Sequence, residues 1–309
     1  MKILIADKLS PKAIEALDKI GAEITSNPDL KAEELSDAIG NANVLIVRST
    51  KVYAETIEAG NNLELIIRAG AGVNNIDLEK ASSSGVYVAN CPGKNSDAVA
   101  ELALGHIIAC DRQIVDASLD LRNGNWKKKA YQKAAGLKGR TLGIIGLGSI
   151  GSALAKLARG LDMHVIAWSR SLTPDKADKL DLIYCESISE VAANADVVSV
   201  HLAVTPDTKQ LLNTDFFNKM KDGAIFVNTS RGEIVDTAAL RKAIDEKALR
   251  VGLDVFENEP GSGLAEFDQT DLAGLITCTP HIAASTNQAS EAIADEVVRI
   301  VDSLIKTGK

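Results

Sequence analysis

A guanidinium, a carboxylate and an imidazole stand after apolar, strand-like runs in the second half of the chain. Arg231 lies in Asn228-Thr-Ser-Arg231-Gly-Glu-Ile-Val-Asp236, directly after the apolar run 224–228. In parallel sheets the carboxyl ends of strands face the ligand crevice, and a guanidinium there can fork onto a carboxylate. His281 follows the run 275–278 in Thr279-Pro280-His281 and precedes the last helical segment. Of the 4 histidines, His106 falls mid-helix and His164 opens a strand, so both read as structural. His201 ends the run 196–200 and competes with His281, which the fixed Pro-His turn favours. Glu259, in Gly252-Leu-Asp254-Val-Phe-Glu257-Asn-Glu259-Pro260, can hold the imidazole tautomer and raise its pKa. Glu257 is the alternative, and spacing does not separate the two. An anion anchor, a proton donor and a group to orient the donor are what hydride transfer to a carbonyl requires.

A second constellation is Thr141-Leu-Gly-Ile-Ile-Gly146-Leu-Gly148-Ser-Ile-Gly151, with Ser152-Ala-Leu-Ala-Lys-Leu-Ala behind it. It reads as strand, glycine turn and helix, the setting that turns a weak G-x-G-x-x-G match into a dinucleotide fingerprint. Gly146 suits the tight turn, Gly148 a close approach of pyrophosphate, and Gly151 close helix packing, with the anion at the helix N-terminus. An acidic residue for the ribose is expected roughly 20 residues on, yet the next strand ends Trp168-Ser169-Arg170. Ser169 can donate a hydrogen bond to a 2′-phosphate and Arg170 can pair with it, so NADP is expected to be tolerated or preferred. The alternative, NAD held through Ser169 with Arg170 in solvent, stays open.

The elements that must position these groups follow from periodicity. Apolar runs at 2–6, 43–47 and 63–67 alternate with helix-period segments at 11–20, 54–59 and 76–83. A second series of strands is predicted at 141–145, 165–168, 196–200, 224–228 and 251–255. Such alternation is the pattern of helices packed around parallel sheets, an α/β fold. Ser10 and Pro11 open the first helix, and Gly21 stops it. The segment from Ser96 to about Gly124 reads as one long helix connecting two units. The last helix, 286–305, carries a stripe of Ile293, Val297, Ile300 and Leu304 whose partner the pattern does not reveal. Gly261–Gly263 reads as a flexible loop tip.

With 309 residues, about two domains are expected, and 46% hydrophobic with 25% charged residues excludes disorder. A net charge of −8 has the wrong sign for a nucleic-acid partner, and 2 Trp, 4 Tyr and 5 Phe make no base-stacking platform. Cys91, Cys110, Cys185 and Cys278 are widely spaced, which predicts reduced core thiols and no metal site. Without a leader or a long apolar run, a cytoplasmic location with no membrane partner is expected.

Further stretches are Val47-Arg-Ser-Thr-Lys-Val52, Arg68-Ala-Gly-Ala-Gly-Val-Asn-Asn-Ile-Asp77, Asn90-Cys-Pro-Gly-Lys-Asn and residues 98–105. With the fingerprint and residues 228–236, 253–260 and 280–286, this ordered set covers nearly the whole chain and resembles the D-isomer-specific 2-hydroxyacid dehydrogenase family. The resemblance implies two doubly wound parallel-sheet domains: a Rossmann nucleotide domain at 96–283, and a flavodoxin-like substrate domain from 1–95 with 284–309. It implies Arg231 as substrate anchor, His281 as acid/base and Glu259 as its partner, with the amides of Ala71, Gly72 and Val73 near the substrate carboxylate. Cofactor contacts are implied for Gly146, Gly148, Ser149, Ile150, Gly151, Ser169, Arg170, His201, Leu202, Thr229, Ser230, Asp254 and Ala283. A homodimer through the nucleotide domain is implied as well.

Arg48, Lys51 and Arg68 near predicted strand ends of the first domain, with Lys128 or Lys129 from the other, are expected to make a cluster suited to a phosphate; solvated surface charges are the alternative. Within the family the ordered stretches are most similar to members that oxidise 3-phosphoglycerate in serine synthesis; if the basic residues are only surface charges, NADPH-dependent reduction of glyoxylate or hydroxypyruvate is the alternative. An NAD(H)-sensing, corepressor-like protein is the reading from another class. Ser169 departs from the family's usual Asp, Ala283 from a common Gly and Ala203 from a common Pro. The chain ends where longer members carry regulatory domains, so no serine feedback site is expected.

Overall fold

The computed structural model describes residues 1–260 and 265–308; the stretch Gly261–Gly263 lies outside them. The chain divides into two compact units, Met1–Asn95 with Ser285–Lys309, and Ser96–Ala284.

In the first unit, β1 (Lys2–Ile5), β2 (Glu23–Ser26), β3 (Val44–Val47), β4 (Leu65–Arg68) and β5 (Tyr87–Asn90) form one sheet in the order β2-β1-β3-β4-β5. Every pairing is parallel, and this is the flavodoxin-like order. The Val-Leu-Ile-Val run of β3 is buried throughout, as a strand covered on both faces must be. Two apolar clusters lie on the two sides of the sheet. One gathers Ile3, Ile5, Ile46 and Ile67 with Ile293, Val297, Val301 and Leu304 of the helix Asn287–Thr307. The stripe on the last helix thus finds its partner in this sheet and in the helix Pro11–Lys19. Ser10 caps the latter by accepting from the Ala13 amide at 3.2 Å, and Thr286 caps the former through Ala289 at 3.1 Å.

The second unit holds β6 (Thr141–Ile145), β7 (His164–Trp168), β8 (Ile183–Tyr184), β9 (Val197–Val200), β10 (Ile225–Asn228), β11 (Arg250–Leu253) and β12 (Thr277–Cys278). The all-parallel order is β12-β11-β10-β9-β6-β7-β8. The chain winds outward from β6 in one direction and from β9 in the other. The switch point between them is where open α/β sheets bind ligands.

The single helix expected from Ser96 to Gly124 is broken. Gln113, at φ 49°, ends the helix Ser96–Arg112 and starts Ile114–Arg122. Nor is it a connector: Ala100, Ala103, Ile107 and Cys110 sit in the second unit's core beside Leu142 and Leu154. Cys278 corrects the expectation of four core thiols, because it is only half-buried whereas Cys91, Cys110 and Cys185 are buried. No helix among the described residues is long and apolar enough to cross a membrane.

Candidate active site

The glycine turn joins β6 to the helix Ser149–Gly160. Gly146 has φ +97°, and a Cβ there would lie 2.4 Å from the His201 carbonyl oxygen. A Cβ on Gly151 would lie 2.4 Å from the Gly146 carbonyl oxygen, so strand and helix meet backbone to backbone. Gly148 differs, since a Cβ there meets nothing within 4 Å. It is the N-cap of a 12-residue helix with no side-chain cap, which leaves the first-turn N–H groups open to an anion.

The Gly146 amide donates to the Trp168 carbonyl at 2.8 Å and so places half-buried Ser169 and exposed Arg170 beside the turn. On the other flank, β9 and β10 run in register with Val200 opposite Asn228. His201 and Thr229 follow these strand ends, and His201 Nδ1 and Thr229 Oγ1 are buried without a hydrogen-bond partner among the described residues. Buried polar atoms are rarely left so. Together with the open helix end, they fit a dinucleotide. His201 Nε2 pairs with Ser199 Oγ at 3.0 Å, and burial pushes the ring down to about 4. At neutral pH it is an uncharged ring and a poor proton source.

Three strand ends carry the remaining chemistry. After β10, Asn228 Oδ1 accepts from the Ser230 amide at 2.9 Å and Ser230 Oγ at 2.7 Å, and its Nδ2 donates to the Arg231 carbonyl at 2.9 Å. Arg231 Nη1 in turn donates to the Ser230 carbonyl at 2.7 Å. At Gly232 a Cβ would fall 2.0 Å from the carbonyl carbon of Phe256. Only glycine lets this loop lie against the segment that carries Glu259.

Glu259 Oε1 accepts from the Phe256 amide at 2.8 Å, and Oε2 meets His281 Nδ1 at 2.6 Å. Glu257 turns elsewhere and accepts from Thr237 Oγ1 at 3.1 Å, so geometry separates the two carboxylates. Burial disfavours the Glu259 charge, but the hydrogen bonds from His281 and Phe256, with the Arg231 charge, outweigh it and hold the carboxyl below its usual range. His281 has φ 51° and a side chain 46% exposed, so its far nitrogen can reach a ligand. Asp254, fully buried, spends its carboxylate on the Thr279 hydroxyl and on the amides of Ile282 and Ala283.

In the first unit, Arg48 and Arg68 lie at neighbouring strand ends, with Val47 opposite Arg68. Asp7 Oδ2 gathers the amides of Arg48, Ser49 and Thr50 at 2.7, 3.1 and 3.0 Å. The Arg68 guanidinium lies over Gly70, where a Cβ would meet Nη1 at 1.6 Å. The amides of Ala71, Gly72 and Val73 donate to no acceptor among the described residues. Lys51 is exposed there, and Lys128 and Lys129 are exposed in the second unit. Sequence reasoning did not pick out Asn228, Gly232 or Thr279. The position of Asn228 at a strand end and of Gly232 just after Arg231 were the available signals.

A doubly wound sheet with a glycine turn at its switch point defines a Rossmann-type dinucleotide fold. Residues 104–283 match the family model described as D-isomer specific 2-hydroxyacid dehydrogenase, NAD binding domain. The chain is 40% identical over 304 residues to a hydroxypyruvate reductase of Thermotoga maritima, covering 96% of each. It is 38% identical over 310 residues to a D-3-phosphoglycerate dehydrogenase of Archaeoglobus fulgidus, covering 98% of this chain but only 58% of that relative. It superposes with TM-score 0.82 and 28% identity on NAD+-bound 3-phosphoglycerate dehydrogenase of Entamoeba histolytica, covering 100% of this chain and 96% of that one. The chain belongs to the D-isomer specific 2-hydroxyacid dehydrogenase family.

Proposed function

We propose that the protein is an NAD(P)-dependent D-2-hydroxyacid dehydrogenase that interconverts 3-phosphoglycerate and 3-phosphohydroxypyruvate, the oxidation serving serine synthesis. The observation that carries the reading is the 2.6 Å pair of His281 and Glu259 on strand ends neighbouring that of Arg231. A nicotinamide bound at the glycine turn supplies the hydride acceptor or donor. Its holders are Gly146, Gly148, Ser149, Ile150 and Gly151, with Ser169, Arg170, His201, Leu202, Thr229, Ser230, Asp254 and Ala283 around them. Arg231 anchors the substrate anion. With Nδ1–H turned to ionised Glu259, His281 presents Nε2 to the C2 hydroxyl, takes its proton on oxidation and returns it on reduction. In the first unit the open amides of Ala71, Gly72 and Val73 suit a carboxylate, and Arg48, Lys51 and Arg68, with Lys128 or Lys129 of the second unit, suit a phosphate.

Ser169 and Arg170 in place of an acidic residue support use of NADP as well as NAD. They also favour a second reading, reduction of hydroxypyruvate or glyoxylate, which the full-length similarity to a hydroxypyruvate reductase supports. An NAD(H) sensor would need neither the His281–Glu259 pair nor Arg231. The helix Ile114–Arg122 exposes Ile114, Val115, Leu119 and Leu121, and Trp126 is 79% exposed. This apolar surface on the nucleotide unit supports a homodimer. Four free cysteines suit a reducing cytoplasm.

Steady-state reduction of phosphohydroxypyruvate, hydroxypyruvate and glyoxylate, each with NADH and NADPH, tests the proposal. A large kcat/KM advantage for phosphohydroxypyruvate is the expected result. Preference for the unphosphorylated acids selects the reductase reading. Tight cofactor binding without turnover of any 2-oxo acid selects the sensor.

A further inference from the structure

His281 bears its imidazole on a left-handed backbone, at φ 51°. A side chain larger than glycine persists there only when its surroundings hold it. The backbone amide of His281 donates to the Asp254 carbonyl at 2.8 Å, and the Thr279 amide to the Leu253 carbonyl at 2.9 Å. Beyond the turn, the amides of Ile282 and Ala283 donate to the two carboxylate oxygens of Asp254, each at 2.9 Å. Asp254 is thus a clamp around the residue that carries the imidazole.

The clamp has a further holder on a distant helix. Thr279 Oγ1 donates to Asp254 Oδ1 at 2.5 Å, and His106 Nε2 lies 3.1 Å from the same hydroxyl. His106 is 3% exposed and sits mid-way along Ser96–Arg112. Burial lowers its pKa, against the pull of the Asp254 charge, which leaves a neutral ring with a single N–H. Because the Thr279 hydrogen is committed to Asp254, the hydroxyl can only accept from His106, and this sets the tautomer with the proton on Nε2. Room for the ring is made at Gly252 on β11, where a Cβ would lie 2.7 Å from His106 Cβ and 3.1 Å from Cγ.

We propose that His106 is a positioning residue for His281, acting through Thr279 and Asp254 to hold the left-handed turn in its working geometry. The inference rests on His281 being the acid/base group. None of the chain His106, Thr279, Asp254 needs to change protonation during turnover. Its effect is to keep the imidazole within the small displacement that proton transfer tolerates, since about 1 Å of misplacement can cost on the order of 100-fold in rate.

The test compares His106→Leu and Thr279→Val, which remove one link each, with His106→Gln and Thr279→Ser, which keep a donor or a hydroxyl. One readout needs no substrate: hydrogen exchange at the amides of Ile282 and Ala283 in the intact protein. The expected result is at least about tenfold faster exchange there in the first pair. Alongside it kcat falls roughly 10- to 100-fold, with KM and cofactor affinity within about twofold, and the second pair restores both. Wild-type exchange at these amides and wild-type kcat in Thr279→Val and His106→Leu would overturn the proposal. A fall of kcat not restored by His106→Gln would assign His106 to core packing and overturn it too. If the wild-type protein turns over no 2-oxo acid, the functional reading fails, while the exchange measurement still decides whether the clamp exists. Should His106→Leu fail to fold, Thr279→Val and His106→Gln carry the decision.

Discussion

Replacing Glu259 by Gln removes one charge and almost no volume. Oε1 of the glutamine can keep the 2.8 Å bond from the Phe256 amide, which leaves its NH2 group facing His281 Nδ1 across the former 2.6 Å contact. Two donors cannot share that contact. The imidazole must carry its proton on Nε2, where in the proposed reaction the hydroxyl proton of the substrate is received, or the pair must part. A hydrogen bond to a charged group contributes about 1.5–3 kcal/mol. At about 1.36 kcal/mol per tenfold in rate this is roughly 10- to 150-fold. The partial exposure of both side chains, 46% and 28%, weakens the charge interaction through solvent screening, whereas the tautomer error adds to the loss. A fall of about 100-fold in kcat/KM is expected, equally in both directions because a catalyst cannot move the equilibrium. The assay follows nicotinamide absorbance for both directions at several pH values, with cofactor affinity measured separately. A kcat/KM within about threefold of wild type, in a folded variant that binds cofactor normally, would refute the role given to Glu259.

His281→Ala should lower turnover at least about 100-fold in the same assay; near-full activity would turn attention to His201, although burial holds that ring down at about 4. In Gly232→Ala the new Cβ would press on the Phe256 backbone, at 2.0 Å before relaxation. Thermal unfolding should show a loss of about 1–3 kcal/mol, and kcat should fall with it as the Glu259 segment moves. Ser169→Asp sets a carboxylate where a 2′-phosphate would lie, so the NADPH kcat/KM should drop about tenfold or more relative to NADH, as like-charge juxtaposition costs several kcal/mol. Glu259 has a folded-state pKa below its ordinary value, so its contribution to stability is complete above the ordinary carboxylate range and is lost as pH falls through the lowered value. Urea titrations should therefore show a gap between wild type and Glu259→Gln at neutral pH that closes in acid, and a constant gap would contradict the pairing.

What could be read from the sequence was local. The glycine turn is recognisable because its demands fall within eleven consecutive residues, Thr141 to Gly151: a left-handed bend at Gly146 and a backbone contact at Gly151 that no side chain permits. The interior strands β3 and β10 declare themselves through buried runs that are apolar throughout in β3 and up to Asn228 in β10. The edges are less visible. β2 at Glu23–Ser26 and β8 at Ile183–Tyr184 have largely exposed side chains, and it is the hydrogen-bond ladder to β1 and β7 that makes them strands. The break at Gln113 was hidden for a related reason, as nothing in the apolar spacing from Ser96 onward marks one glutamine for a left-handed conformation.

Residue types and order in the chain thus determined the α/β architecture and placed an arginine, a histidine and two candidate carboxylates at strand ends. Tertiary structure alone decided which groups they meet. Asn258, at φ 58°, turns the chain between Glu257 and Glu259, and this sends one carboxylate to Thr237 and the other to His281. His106 and Thr279, 173 residues apart, come within 3.1 Å only because the helix Ser96–Arg112 packs over β11 and β12. A side chain's type and its element can be read from periodicity. Which group it meets depends on backbone twists and packed neighbours far away in the chain, and those exist only once the sheet has formed.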